Sequence, residues 1–449
     1  VKSATAGTQR FPAILGAAMA APPFLAGAAA LPITPLPEHL EDRLYLGGYD
    51  GYLGRPAGGV HDDLFARALV LGDGETTVAL IALDLVGMSN RHIARIRASV
   101  SRRLEIAEPA VLVACTHTHA GPDLQGLWGG VSPHYAAHVR RQAVRAALQA
   151  AADRREAVLR AATVRVKGRT VNRRGWPHTD DVMTVLQARD SDKDAIGTLV
   201  NFAAHPTVTQ EANVDVSRDF PGALVDSLES AVGGVALFVN ADEGDAIPNV
   251  TGGFAEMQAY GEGLADTAAK ALGKTAVLEP PLSLSGRHLD LPLASPRLRL
   301  PPGLILQGLL TGVRGLAGVG ALHWLAGRYA GRDRAFVYAG LGLIAEHPVF
   351  LRGGKPFVRT RVSRVRIGDG LDALAAPGEV LTRLGQALRE RLDAPATMFF
   401  GLTNDTLGYF IPEDEWMSGR NNGYEETVSL GPQAAPSLER AAVGLLGAG

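Results

Sequence analysis

From Tyr45 onward, short apolar runs alternate with stretches of helical periodicity, and this alternation confines the chain to an α/β architecture. Residues 66–71 and 77–85 read as strands joined by the turn Gly72-Asp73-Gly74-Glu75. The spacing predicts a helix over 90–104, a strand over 110–115 and a long alanine- and arginine-rich helix over 136–160. Strands are predicted at 162–167, 182–188, 196–203 and 235–239, with helices over 220–232 and about 254–272. A strand at 362–367, a helix over 379–392 and a strand at 397–402 complete the pattern. The expected fold class is α/β, with mixed β-sheets packed with helices in a single large domain over 41–449.

At 449 residues, 46% hydrophobic and 20% charged, the chain can bury a sizeable core. The 44 basic and 46 acidic side chains nearly cancel, which removes the basic excess expected of a nucleic-acid binder. No nucleic-acid partner is expected. The single cysteine, Cys115, closes an apolar run and reads as a small buried side chain, since apolar surroundings raise a thiol pKa.

Two segments stand apart. Lys2 and Arg10 precede an alanine-rich apolar run at 11–31, with small residues near Ala28 and Ala30. Residues 1–40 therefore read as a signal- or anchor-like segment, with packing on the domain as the alternative. Pro22 and Pro23 argue against an unbroken spanning helix, which needs about 20 residues. The expected location is exported or membrane-associated. Within an insertion at about 297–335, leucines recur at helical spacing over 298–328, with Arg314 and His323 opposing a membrane span. This segment reads either as an interfacial helix or as a core helix of an inserted hairpin. Peripheral membrane contact is expected through 298–328 and 11–31.

Several common chemistries lack their sequence signals. No Gly-x-Ser-x-Gly elbow occurs, Gly273-Lys274-Thr275 lacks the upstream glycine of a phosphate loop, and Gly318-Val319-Gly320 lacks the third glycine of a dinucleotide fingerprint. The strongest positive signal is Thr116-His117-Thr118-His119-Ala120-Gly121-Pro122, directly after an apolar strand. Histidines at i and i+2 share a side if the strand continues, so one can bind a metal while the other works beside it. His205 follows a second apolar strand, with Pro206 ending it. Catalytic zinc commonly takes three protein ligands, and a carboxylate can complete such a set.

Further segments carry a resemblance: Gly59 to Ala68 with His61, Val171-Asn172-Arg173, Ala204-His205-Pro206-Thr207, Pro377-Gly378-Glu379, Gly408-Tyr409, Glu413-Asp414-Glu415, Gly423-Tyr424-Glu425 and Leu430-Gly431-Pro432. Together with Thr116–Pro122, in this order, they resemble the catalytic domain of the neutral/alkaline (non-lysosomal) ceramidase family, over Tyr45 to about Pro432. The resemblance covers that domain alone, and no counterpart to the C-terminal immunoglobulin-like sandwich of full-length members is expected. It implies a Zn2+ cofactor held by His117, His205, Glu379 and Tyr409. For Glu379, placed at an expected helix start, the helix dipole would keep the carboxylate ionised.

His119 is then the candidate for proton transfer, with Arg173 and Tyr424 as donors to an oxyanion. His61 is left as structural or cleft-lining. One departure is Ile247, which stands where the family motif carries serine and supplies no hydroxyl. The expected function is a zinc-dependent amidohydrolase that cleaves a ceramide-like or other small amphiphilic N-acyl lipid with metal-activated water. A zinc esterase or lactonase on the same scaffold, and a catalytically silent lipid- or metal-binding homologue, remain the alternatives.

Overall fold

The computed structural model describes residues 24–42, 44–49, 55–294 and 349–447. Eight strands build the first sheet: β1 (Phe24–Pro32), β2 (Phe65–Gly72), β3 (Thr77–Leu83), β4 (Val111–Cys115), β5 (Arg155–Arg165), β6 (Val182–Arg189), β7 (Ala195–Phe202) and β8 (Val235–Asn240). They lie in the order β8-β7-β6-β5-β1-β2-β3-β4, and Ala276–Val277 adds a short ninth strand against β5. The pairs β3–β4 and β7–β8 are parallel and the others antiparallel. The second sheet comprises β9 (Leu282–Pro292), β10 (Val349–Arg352), β11 (Lys355–Ile367), β12 (Leu371–Ala375) and β13 (Ala396–Phe400).

The two sheets bury a common core in which Leu69, Leu80, Leu186 and Leu237 meet Ile367, Ala373, Met398 and Phe400. On the outer face of the first sheet, α1 (Asn90–Leu104) and α2 (Pro133–Ala152) cover β2–β4, and α3 (Phe220–Val232) and α4 (Phe254–Leu272) cover β6–β8. Helices α5 (Thr382–Arg389) and α6 (Ala434–Leu446) cover the outer face of the second sheet. The result is a helix–sheet–sheet–helix stack. The first sheet is also curled, so that β8 approaches β2, β3 and β4 from the far end of the strand order. This curl brings the C-terminal ends of β4 and β7 together.

The α/β expectation holds, and the structure corrects three details. First, residues 24–31 of the apolar run read as a signal or anchor form the strand β1, paired with both β2 and β5. Its small residues suit close packing under α2: a Cβ on Gly27 would lie 2.0 Å from the Ala150 carbonyl oxygen. Residues 11–23, and the insertion at 297–335, lie outside the described residues. Second, the helix predicted over 136–160 ends at Ala152, and Arg155–Arg165 is a strand. Its buried Ala157, Leu159 and Ala161 alternate with exposed or half-exposed partners, a period of two that the surrounding alanines conceal. Third, the helix predicted from Glu379 begins at Thr382. Among the described residues, no helix is long and apolar enough to cross a membrane.

Asp84, directly after β3, is buried and accepts a hydrogen bond from the Phe65 amide at 2.9 Å. Burial pushes its carboxyl up to about 6, against the opposing pull of Arg218 and Arg67. The folded protein therefore binds a proton that the unfolded chain has released. The stability this contributes is full below the unfolded value near 3.8 and is lost as pH rises through about 6. Asp84→Asn is expected to gain on the parent by roughly 2 kcal/mol between pH 4.5 and 7.5. Denaturant unfolding of both proteins at the two pH values measures it, and parallel pH profiles would remove Asp84 as the source.

Candidate metal centre

Four chain segments converge where the curled sheet brings β4 and β7 together. The strand β4 stops at Cys115, and His117 turns the chain with a left-handed φ of 70°. His117 and His119 do face each other, with Nε2 atoms 3.2 Å apart, but through this turn and not through strand alternation. His205 emerges three residues after β7 and lies 4.9 Å from His117, ring centre to ring centre. Asn240, the last residue of β8, joins the two segments. Its Nδ2 donates to the Thr116 carbonyl at 3.3 Å and the Ala204 carbonyl at 2.9 Å.

Glu379 and Val380 form a two-residue parallel ladder with Tyr409 and Phe410, so Glu379 and Tyr409 sit side by side. Glu379 Oε2 lies 3.3 Å from His117 Nε2 and 3.2 Å from His205 Nε2. The carboxylate thus lies against two imidazole Nε2 atoms, not at a helix N-terminus. Burial pushes its carboxyl up, and His117 and His205 outweigh this and hold it well below the usual range. Tyr409 moves the other way. Burial raises its phenol well above the ordinary value, Glu379 adds to this as its hydrogen-bond partner, and Arg173 opposes it.

The imidazole tautomers follow from their backbone partners. Nδ1 of His117 meets the Val86 carbonyl at 2.5 Å, and Nδ1 of His205 meets the Glu243 carbonyl at 2.7 Å. A carbonyl only accepts, so both Nδ1 atoms carry protons and both Nε2 atoms face Glu379. Burial, with Arg173 next, pushes His205 down to about 4, so its Nε2 presents a lone pair to the carboxylate at neutral pH. Acceptor facing acceptor is unfavourable without a cation between them. The 3.2–3.3 Å separations also match the roughly 3.3 Å edge of a tetrahedron with metal–ligand bonds of about 2.0–2.1 Å. His117, His205 and Glu379 thus fit a zinc-type cation, with Tyr409 beside them.

His119 could supply another donor, since its ring atoms also group with those of His117 and His205. It differs in that, among the described residues, its buried Nδ1 has no hydrogen-bond partner. Burial, followed by the two neighbouring imidazoles, pushes its pKa well down, so it stands neutral. Tyr49 packs edge-on at 4.8 Å, and Gly48 is required for this fit because a Cβ there would lie 2.3 Å from His119 Cγ.

Arg173 and Tyr424 reach the same site. The Arg173 guanidinium lies 5.1 Å over the Tyr409 ring and 5.5 Å over the Tyr424 ring. Its Nη2 donates to the Gly244 carbonyl at 2.8 Å, and its Nε lies 2.9 Å from Glu425 Oε1. Ile247 pairs with Val171 in the short ladder beside this loop. His61 stacks on Phe254, with ring centres 3.5 Å apart, and pairs with Asp62, which makes it structural.

Several residues that sequence reasoning missed complete the site. Arg174 is fully buried and forks onto Glu425 Oε2 at 2.6 Å and Glu426 Oε1 at 3.2 Å. Its Nη2 also donates to the Glu415 carbonyl at 3.1 Å and Ser418 Oγ at 3.0 Å, which ties 415–426 to the Arg173 loop. The signal was two consecutive arginines in one motif and two consecutive glutamates in another. Asp245 accepts from Asn172 Nδ2 at 2.7 Å and the Thr382 amide at 2.8 Å. His178, Asp245 and Glu415 form a second group of potential ligands, but Arg383 Nε already lies 3.1 Å from Glu415 and Arg174 Nε 3.9 Å away. These two guanidiniums already place positive charge beside the group.

Comparison with known proteins shows what this chain is similar to. Residues 42–263 match the family described as neutral/alkaline non-lysosomal ceramidase, N-terminal. That span includes His117, His119, Arg173 and His205, whereas Glu379, Tyr409 and Tyr424 lie beyond it. A neutral ceramidase from Mycobacterium tuberculosis is 27% identical over 237 residues, which is 43% of this chain and only 36% of that relative's length. The crystal structure of neutral ceramidase from Pseudomonas aeruginosa superposes with a TM-score of 0.71 at 19% identity, covering 95% of this chain and 75% of that one. A ceramidase complexed with C2 gives the same TM-score at 18% identity, over 94% of this chain and 75% of that one. At these identities the two structures establish the fold.

Proposed function

We propose that this chain, whose residues 42–263 match the neutral/alkaline non-lysosomal ceramidase family, is a zinc-dependent hydrolase that cleaves the amide bond of a ceramide-like or other N-acyl lipid. The observation that carries this reading is the convergence of His117 Nε2 and His205 Nε2 on one Glu379 oxygen. These three side chains would hold the zinc ion, with Tyr409 as the adjoining fourth group. When bound, zinc supplies Lewis acidity at the amide carbonyl and makes water nucleophilic at neutral pH.

The chain's own residues supply the rest. Val86 and the Glu243 carbonyl fix the imidazole tautomers, so the donors need no reorganisation. Neutral His119, next to His117, accepts a proton from the attacking water and returns it to the leaving nitrogen. Arg173 and the Tyr424 hydroxyl donate toward the carbonyl oxygen as negative charge develops there. Ile247 has no hydroxyl to offer, so no serine step enters this scheme.

The test is the zinc content of the purified protein together with fatty-acid release from a short-chain N-acylsphingosine. Zinc near one per chain with chelator-sensitive release is the expected result. Release from the matching ester but not from the amide would move the chemistry to ester cleavage, and no zinc would overturn the centre. For His119→Gln, zinc is expected to stay bound while kcat falls by about 10²–10⁴-fold. Loss of zinc in that variant would instead make His119 a ligand.

A further inference from the structure

The outer surface of α1 and α2 is cationic to a degree that the near-neutral chain does not require. Neither helix contains an aspartate or glutamate. Arg91, Arg95, Arg102 and Arg103 on α1, and Arg141 and Arg145 on α2, are exposed. Arg97, turned inward, is the arginine of these helices that makes an ion pair, with Glu108 at 3.4 Å. Among the described residues, no carboxylate pairs with the six exposed ones.

The like charges are also crowded. Arg140 bridges the two helices by donating to His92 Nδ1 at 2.8 Å. Burial lowers its pKa, and Arg95, Arg141 and Arg91 lower it further. Like charges at such spacing destabilise the surface that carries them. An anionic partner relieves this repulsion.

The patch adjoins the metal centre. Helix α1 begins four residues after Val86, whose carbonyl orients His117, and five residues of chain cannot exceed about 18 Å between Val86 and Arg91. Helix α2 starts at Pro133, just after the loop whose Trp128 flanks Gly47 together with Val86.

We propose that the exposed face of α1 and α2 docks the protein on an anionic lipid surface, with its arginines on the phosphate headgroups. The choice of a lipid over another polyanion rests on the N-acyl lipid reading of the adjoining centre. It is also favoured by composition. Neither helix carries a phenylalanine or tryptophan, and the one tyrosine, Tyr135, is buried, so the face lacks the large aromatic platforms on which nucleic-acid bases stack. The arginines instead spread over two packed helices, which suits a planar array of phosphates.

The experiment is co-sedimentation of the full chain with vesicles of phosphatidylcholine alone, or mixed with phosphatidylglycerol. The test variant combines Arg91→Gln, Arg95→Gln, Arg141→Gln and Arg145→Gln, all exposed positions outside the catalytic machinery. Binding only to the phosphatidylglycerol vesicles is expected, weakened at least ~10-fold by the variant and by about 0.5 M salt. Turnover of a dissolved short-chain N-acylsphingosine should be unchanged in the variant. Equal binding by the variant, equal binding to both vesicles, or no vesicle binding would each overturn the proposal. Salt-sensitive capture of heparin or duplex DNA with vesicles ignored would assign the patch to another class of partner and overturn it too. Vesicle binding without turnover would sink the catalytic reading and leave the docking face standing, and turnover without vesicle binding would do the reverse.

Discussion

Glu379→Gln is expected to lose both zinc and turnover. The substitution preserves volume and one carbonyl oxygen, but it removes the negative charge on which His117 Nε2 and His205 Nε2 converge at 3.3 and 3.2 Å. Residues that only support a metal ligand cost about 10–100-fold in affinity or activity, so loss of the ligand itself should exceed the upper end of that range. Metal analysis after dialysis and fatty-acid release from a short-chain N-acylsphingosine are the two readouts. Full zinc in Glu379→Gln would show that the carboxylate is not a ligand and would promote His119 to third donor. Paired with His119→Gln, which should keep its zinc, the experiment separates the two donor sets suggested by the same cluster.

Arg174→Met should destabilise the protein by about 3–5 kcal/mol while leaving zinc in place. That magnitude is typical when one partner of a buried ion pair is removed and the opposing charge is stranded. Here the stranded groups are Glu425 and Glu426, both fully buried, and a methionine offers neither donor. Arg174→Lys should recover only part of the loss, because an ammonium cannot fork across two carboxylates. Turnover should also fall in both variants, since Glu425 is shared with Arg173 at 2.9 Å. Denaturant unfolding gives the stability change. A loss under about 1 kcal/mol, the level of a surface pair, would mean that the carboxylates find other partners and that Arg174 does not hold the site.

Elements whose apolar spacing is strong were legible from sequence. Asn90–Leu104, Phe220–Val232 and Phe254–Leu272 are helices with the expected bounds, and the strands leading to His117 and His205 lie where the apolar runs place them. Two strands were not. Phe24–Pro32 carries small side chains compatible with either period, the first half of Arg155–Arg165 continues an alanine- and arginine-rich run, and the strand state of both is decided by neighbours on both sides. Glu379 was found as a residue but misplaced, because its two-residue ladder with Tyr409 depends on a segment thirty positions away.

Local periodicity determined the α/β class, and chain order placed histidines after apolar strands, because both are written in spacings of two to four residues. The curl of the first sheet, the turn at His117 and the convergence on Glu379 belong to the tertiary structure alone. Asn240 reaches Thr116 across 124 positions, and His205 reaches Glu379 across 174. Arg174 finds Glu425 across 251. No local pattern encodes such contacts. They are selected because a buried polar group left without its partner costs more than the fold can spare.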